Sequence, residues 1–284
     1  MRACEEGFSE AETPGNRRET ERSGKAMRLI DLSVTTVSDL PVEPEGQIAK
    51  IYYFDHGSDI SIDSTLKSFP GITREDLPDG FGWASEFAAF TTHTGTHMDA
   101  PLHYHPTMNH GEPAWSIDQF PLEWGMGDGV VFDFSDKPTG YMLQSRDYQE
   151  YLDRIGYRLK PGDIVLVHTC APEKWGTAEY CRTGCGTGRE GTLWLASQGI
   201  HLVGTDAWSW DPPLYTEAER FAKTGDRSVI WEGHKAGMDC CYFQMEKLCN
   251  LDKLPPFGFT FIGFPIKIDR GSAGWVRPVA MLKD

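Results

Sequence analysis

The densest chemistry in the chain lies in Thr91 to His105, TTHTGTHMDAPLHYH, which holds an aspartate and four of the nine histidines. His93, His97 and Asp99 follow one another at intervals of four and two residues. Neutral imidazole and carboxylate are the donors that suit zinc, manganese or iron, whereas a thiolate site would look different. The four-residue interval resembles that of a helical HExxH zinc motif. No Glu follows His93, however, and Gly95 between two threonines is poor helix material. A tight loop is expected instead, bent at Gly95 so that the two imidazoles converge. Asp99 falls two residues after His97, on the same side of an extended chain. Its two oxygens could serve one ion or bridge two. Pro101 biases Ala100 away from the helical region. His103, past that turn, is the candidate for orienting a ligand or moving a proton. His105 and His110 lie beyond the cluster and are expected at the surface or in a pocket wall.

These residues need a scaffold, and 284 residues at 39% hydrophobic composition suffice for one large domain or two small ones. The net charge of −15 argues against nucleic acid or an anionic membrane as partner. No apolar run reaches the ~20 residues needed to cross a bilayer. Seven unevenly scattered cysteines suit reduced thiols, and a cytoplasmic protein is expected. Residues 1–27 read as a disordered extension: Met1 to Ala26 is charged and lacks both apolar periodicity and the apolar core of a signal peptide. Residues 28–284 read as the folded domain.

Within that domain, Ser85 to Thr92 reads as the strand that delivers the histidine loop. Gly129 to Phe134, Ile164 to His168 and His201 to Gly204 read as further strands. Helices are expected over Ser145 to Ile155, capped by Ser145, and over Gly191 to Gln198, ended by Gly199. Phe257 to Ile268 and Trp275 to Leu282 read as two strands joined by a turn at Asp269 to Gly274. Mixed strands and helices place the chain in the α/β class. The loop-rich stretch Asp39 to Gly80 and the residues just after it carry Phe54, Phe69, Phe81 and Trp83, aromatic surface for a pocket or for packing. Asp206 directly follows a buried strand and could face a pocket or bond backbone amides. The glycines of TGCGTGREG lack phosphate-loop spacing and read as a flexible loop, and Cys170, Cys181 and Cys185 lack a zinc-site pattern.

The stretch HTGTHMDAPLH resembles the HxGTHxDxPxH signature of the metal-dependent cyclase family, which includes bacterial kynurenine formamidases and isatin hydrolases. Every fixed position of that signature is met, and the similarity extends over nearly all of Arg28 to Asp284. The resemblance implies a swivelling β/β/α single domain and an oligomer, a homodimer or higher. It assigns His234 and Glu246, twelve residues apart in HKAGMDCCYFQME, as ligands of a second ion beside Asp99. The sequence alone would leave His234 on the surface. It also likens Gly204 to Ser209 (GTDAWS) to a loop that helps shape the site. The implied activity is hydrolysis of an amide, lactam or ester by metal-activated water, with one or two ions of zinc or manganese. His103 would carry the proton, and Phe54, Trp83, Asp206 and Trp208 would meet a planar aromatic substrate such as an aryl formamide or isatin. A non-hydrolytic cyclase or dehydratase using the same ion is the alternative, and a binding protein without catalysis a third reading.

Overall fold

The computed structural model describes residues 27–283. The expectation of a disordered extension over residues 1–26 therefore lies outside the described residues, and the first strand begins at Met27. That strand, β1 (Met27–Asp31), is followed by β2 (Lys50–Phe54), β3 (Ser85–Ala89), β4 (His97–Asp99) and β5 (Met126–Asp133). Then come β6 (Ile164–His168), β7 (Leu202–Thr205), β8 (Phe243–Glu246), β9 (Phe259–Ile262), β10 (Ala273–Trp275) and β11 (Val279–Lys283). Nine of these form one sheet in the order β1-β11-β9-β5-β6-β7-β8-β4-β10, while β2 and β3 pair only with each other. Strands β5 to β8 are parallel, and the flanking strands on both sides are antiparallel.

The parallel block is buried on both faces, which is why IVLVH reads as an unbroken apolar run. Alternate residues feed two cores. Val131, Ile164, Leu166 and Met245 pack on one face. Val130, Phe132, Val165 and Val167 pack on the other, against Tyr148 and Leu152 of one helix and Leu195 of another. The helices are α1 (Asp59–Ser68), α2 (Pro101–Tyr104), α3 (Ser145–Ile155), α4 (Arg189–Ser197), α5 (Leu214–Thr224) and α6 (Glu232–Lys235).

Several expected boundaries move, each for a local reason. Strand β5 starts at Met126 because Gly127 and Gly129 pair with Phe261 and Phe259, and a Cβ at Gly129 would overlap the Phe259 ring. The C-terminal pair of strands is three. Pro265 ends the first run, since it cannot donate to a ladder. The intervening β10 leaves for β4 while β9 and β11 pair with each other. Helix α3 is capped not by Ser145 but by Gln144, whose N–H donates to Asp147 (3.0 Å), and Ser145 instead donates to Glu190 at the start of α4. The glycine-rich stretch is packed rather than flexible: Gly186 and Thr187 are buried and pair with Met142 and Leu143. Strand β3 belongs to the separate hairpin, so the metal-ligand candidates ride on a strand of the main sheet.

Only Val276, Arg277 and Pro278 connect β10 at one edge to β11 next to the other. Such a link spans at most about 14 Å, against roughly 33 Å for the intervening strands laid flat. The sheet must therefore curl until its edges approach.

Candidate metal centre

Register does most of the assembly. Strand β4 lies between β8 and β10, with His97 opposite Glu246 and Asp99 opposite Gln244. Met98 and Met245 point into the core between them, so the period of two sets His97, Asp99, Gln244 and Glu246 on one face. The turn before β4 places His93 above them, and Gly95 there has a φ of +67°, the left-handed conformation that suits glycine. Pro101 opens α2 at its first position, with Ala100 extended, and that single turn brings His103 back over Asp99. His234 arrives from α6.

The imidazoles are oriented by their outward nitrogens. His97 Nδ1 donates to the Gly95 carbonyl (2.9 Å), leaving the Nε2 lone pair turned inward. His234 Nδ1 is engaged by Asp211, which also accepts from the Gly233 and His234 amides (2.6 and 3.0 Å). His234 Nε2 is therefore likewise an inward acceptor. Asp99 Oδ1 lies 2.8 Å from His93 Nδ1 and 3.1 Å from His97 Nε2. Oδ2 faces His234 Nε2 (3.8 Å) and His103 Nε2 (4.0 Å). Glu246 reaches both sides, with Oε2 at 3.6 Å from His97 and Oε1 at 3.5 Å from His234.

Burial pushes His103 down to about 3 and His234 down to about 4, so both imidazoles are uncharged at neutral pH. Burial, with Asp99 close by, pushes Glu246 up to about 7.

Among the described residues, His97 Nε2 is buried, has no hydrogen-bond partner and faces the buried Asp99 Oδ1, whose other neighbour is His93 Nδ1. Two lone pairs facing each other at 3.1 Å out of water are costly, and a cation between them removes the cost. Two groups of side chains stand within ligand range of a common ion: His93, Asp99 and His103, and His97, Asp99 and Glu246. Nitrogen and carboxylate donors in this proportion fit a divalent transition metal. The cysteines form no such group among the described residues.

The site forms the floor of a pocket of about 590 Å³, walled by Trp208, Leu214, Phe221, Ile230 and Trp231. That size and apolar lining suit a small aromatic molecule. Of the four side chains expected to meet substrate, Trp208 lines this pocket. Asp206 does not: its carboxylate accepts from the Thr169 amide and hydroxyl (both 2.8 Å) and meets His168 Nδ1 (2.5 Å) at the ends of β6 and β7. Phe54 and Trp83 do not line it either, because they belong to the separate β2–β3 hairpin and its α1 crossover, where Trp83 packs near Phe69. Trp210 is core, its indole N–H donating to Thr192 (2.9 Å).

Sequence reasoning missed α5, although Leu214, Ala218 and Phe221 recur at helical spacing and supply one wall. It also missed the buried pair Lys247 and Glu43. Lys247 Nζ lies 2.9 Å from Glu43 and donates to the His93 carbonyl (2.6 Å). Glu43 further accepts from the Gly95 amide (3.1 Å) and the Trp208 indole (2.8 Å). The pair thus clamps the histidine turn to the end of β8. Lys247→Met should cost about 3–5 kcal/mol in urea unfolding, because it strands the Glu43 charge in the interior.

Glu217, on the pocket wall, is buried beside Asp211. Burial and the Asp211 charge push it up to about 8, so it carries a proton at neutral pH. A carboxyl with a raised folded pKa contributes stability that is full below its unfolded value and lost as pH rises through the folded one. The metal-free protein should therefore lose melting temperature between pH 5 and 9, and Glu217→Gln should flatten that decline. An unchanged slope in the variant would place its origin elsewhere.

The Cyclase family model matches residues 30–212, a stretch that contains His93, His97, Asp99 and His103. A kynurenine formamidase of Erythrobacter litoralis (strain HTCC2594) is 25% identical over 258 residues, spanning 89% of this chain and 93% of the relative. Another, of Salinibacter ruber (strain DSM 13855 / M31), is 28% identical over 200 residues, spanning 68% and 77%. Among solved structures, an isatin hydrolase bound to the product analogue thioisatinate superposes with a TM-score of 0.70 at 18% identity, covering 91% of this chain and 93% of that one. That likeness is one of fold. With more than half of its length matched, and the histidine-aspartate cluster inside the match, the chain belongs to the Cyclase family.

Proposed function

We propose that this protein is a metal-dependent hydrolase that opens the amide bond of an aryl formamide or a cyclic amide of isatin type. The observation that carries this reading is the buried His97 Nε2 facing Asp99 Oδ1 at 3.1 Å, beside His93, His103, His234 and Glu246, which line an apolar pocket. Kynurenine formamidases among the relatives support the formamide as substrate class. A divalent ion held there supplies Lewis-acid polarisation of the carbonyl and lowers the pKa of a water toward neutrality.

His93, His97 and Asp99 would hold that ion, with His234 and Glu246 on the far side of Asp99. His103, whose Nε2 faces Asp99 Oδ2, would take the proton of the attacking water and return it to the leaving nitrogen. Trp208, Trp231 and Phe221 line the pocket and would pack against the aromatic ring, excluding water from it. Zinc and manganese both suit the donor set. A cytoplasmic homodimer or higher homo-oligomer fits the free thiols of the described cysteines and the exposed apolar hairpin, where Tyr52, Tyr53 and Phe87 face outward. None of the helices among the described residues is long and apolar enough to cross a membrane.

The test is elemental mass spectrometry on untagged protein, beside absorbance assays with N-formylkynurenine and isatin. Stoichiometric zinc or manganese, with hydrolysis that a chelator abolishes and the metal restores, is the expected result. Protein that takes up no ion on reconstitution would remove the reading.

A further inference from the structure

Asp99 presents its two oxygens to two different corners of the site. At the Oδ1 corner stand His93 and His97, 2.8 and 3.1 Å from that oxygen. At the Oδ2 corner, His234 Nε2 and Glu246 Oε1 complete a set of three acceptors. An ion there would sit about 2.0–2.2 Å from each. That corner is filled by this chain's own Gln244. Its Nε2 lies 2.8 Å from His234 Nε2, 2.9 Å from Glu246 Oε1 and 3.2 Å from Asp99 Oδ2.

The three neighbours are all acceptors, since His234 spends its N–H on Asp211. An amide nitrogen brings two hydrogens to them and no acceptor. The reverse amide orientation would add a fourth lone pair to three. The side chain is fully buried and cannot swing out easily: its other end, Oε1, lies 3.0 Å from the Tyr242 hydroxyl, and its backbone is paired across from Asp99. A side chain held at about 3 Å from every donor of a corner leaves no volume for a cation in it.

We propose that Gln244 acts as a neutral stand-in for a second cation, so that the protein holds a single divalent ion, at the Oδ1 corner between His93, His97 and Asp99. This rests on the metal dependence proposed above and deepens it: the water that attacks would be activated by one ion, with His234 and Glu246 held in place by an amide instead of by a second one.

Manganese titration by equilibrium dialysis with elemental analysis, joined to electron paramagnetic resonance, tests this on the full chain. The wild-type protein should saturate at one ion per chain and give the six-line spectrum of isolated manganese. Gln244→Glu turns the two donors into a ligand, and should saturate at two ions with the multiline spectrum of an exchange-coupled pair. Adding Glu246→Gln to that variant should return it to one. Two ions per wild-type chain, or one per chain in a folded Gln244→Glu protein, would overturn the proposal. So would loss of the first ion in Gln244→Ala, which would make the glutamine a ligand. If the variants fail to fold by circular dichroism, the wild-type stoichiometry and spectrum decide alone. A wild-type chain that binds no manganese and no zinc would instead defeat the metal-dependent reading itself.

Discussion

Asp99→Asn protein should purify free of its metal and lose on the order of a thousandfold or more in kcat/KM. The asparagine has nearly the same shape, so the fold should persist, but a neutral amide replaces the carboxylate on which both corners of the site converge. His93 and His97 meet Oδ1, and His103 and His234 face Oδ2. Removing that charge leaves the imidazoles with Glu246 as the one carboxylate among the ligand candidates. The ion contributes several kcal/mol of transition-state stabilisation, and each 1.36 kcal/mol is worth about tenfold in rate. Metal content, kcat/KM with N-formylkynurenine and circular dichroism should be measured together. A folded variant that retains metal and activity would mean that Asp99 is not the hub of the site.

His103→Ala is expected to separate the two properties, keeping the metal and losing about 10²- to 10⁴-fold in kcat, the usual worth of a positioned acid-base group. The imidazole packs tilted against His93 with ring centres 4.1 Å apart and lies edge-to-face with Trp231 at 5.1 Å, so it is oriented by packing. Its Nε2 is the most distant of the nitrogens around Asp99, which favours a proton carrier over a ligand. His103 does lie within ligand range of a common ion with His93 and Asp99. Elemental analysis decides between the roles, because a variant that loses metal and turnover together would make His103 a ligand.

How far the site could be read beforehand follows from how far apart its parts lie. His93, His97, Asp99 and His103 fall within eleven residues, and their identities and spacing already speak of metal chemistry. The buried strand Ile164 to His168 was equally plain, because a parallel strand covered on both faces is a continuous apolar run. Gln244 was invisible for the opposite reason. It meets Asp99 across 145 residues of sequence, through a strand register that no local pattern encodes. Its one signal is that Gln244 and Glu246 repeat the alternation of His97 and Asp99, the mark of a second strand offering polar groups to the same face. Asp206 and the hairpin aromatics show the converse. Asp206 follows a strand, as pocket carboxylates do, yet Thr169 and His168 capture it. Phe54 and Trp83 are aromatic and near a loop, but their hairpin pairs only with itself.

Strand β4 is flanked on both sides, and that has a consequence for how the ion enters. In small zinc domains the metal folds the chain, so chelation unfolds it. Here the backbone of His97 to Asp99 is laced to β8 and β10, and the side chains are aimed by Gly95 and Asp211, through bonds that do not involve the ion. Chelation should leave an empty cage with slow amide exchange at these residues. The free energy of loading is then spent on affinity, not on ordering the protein.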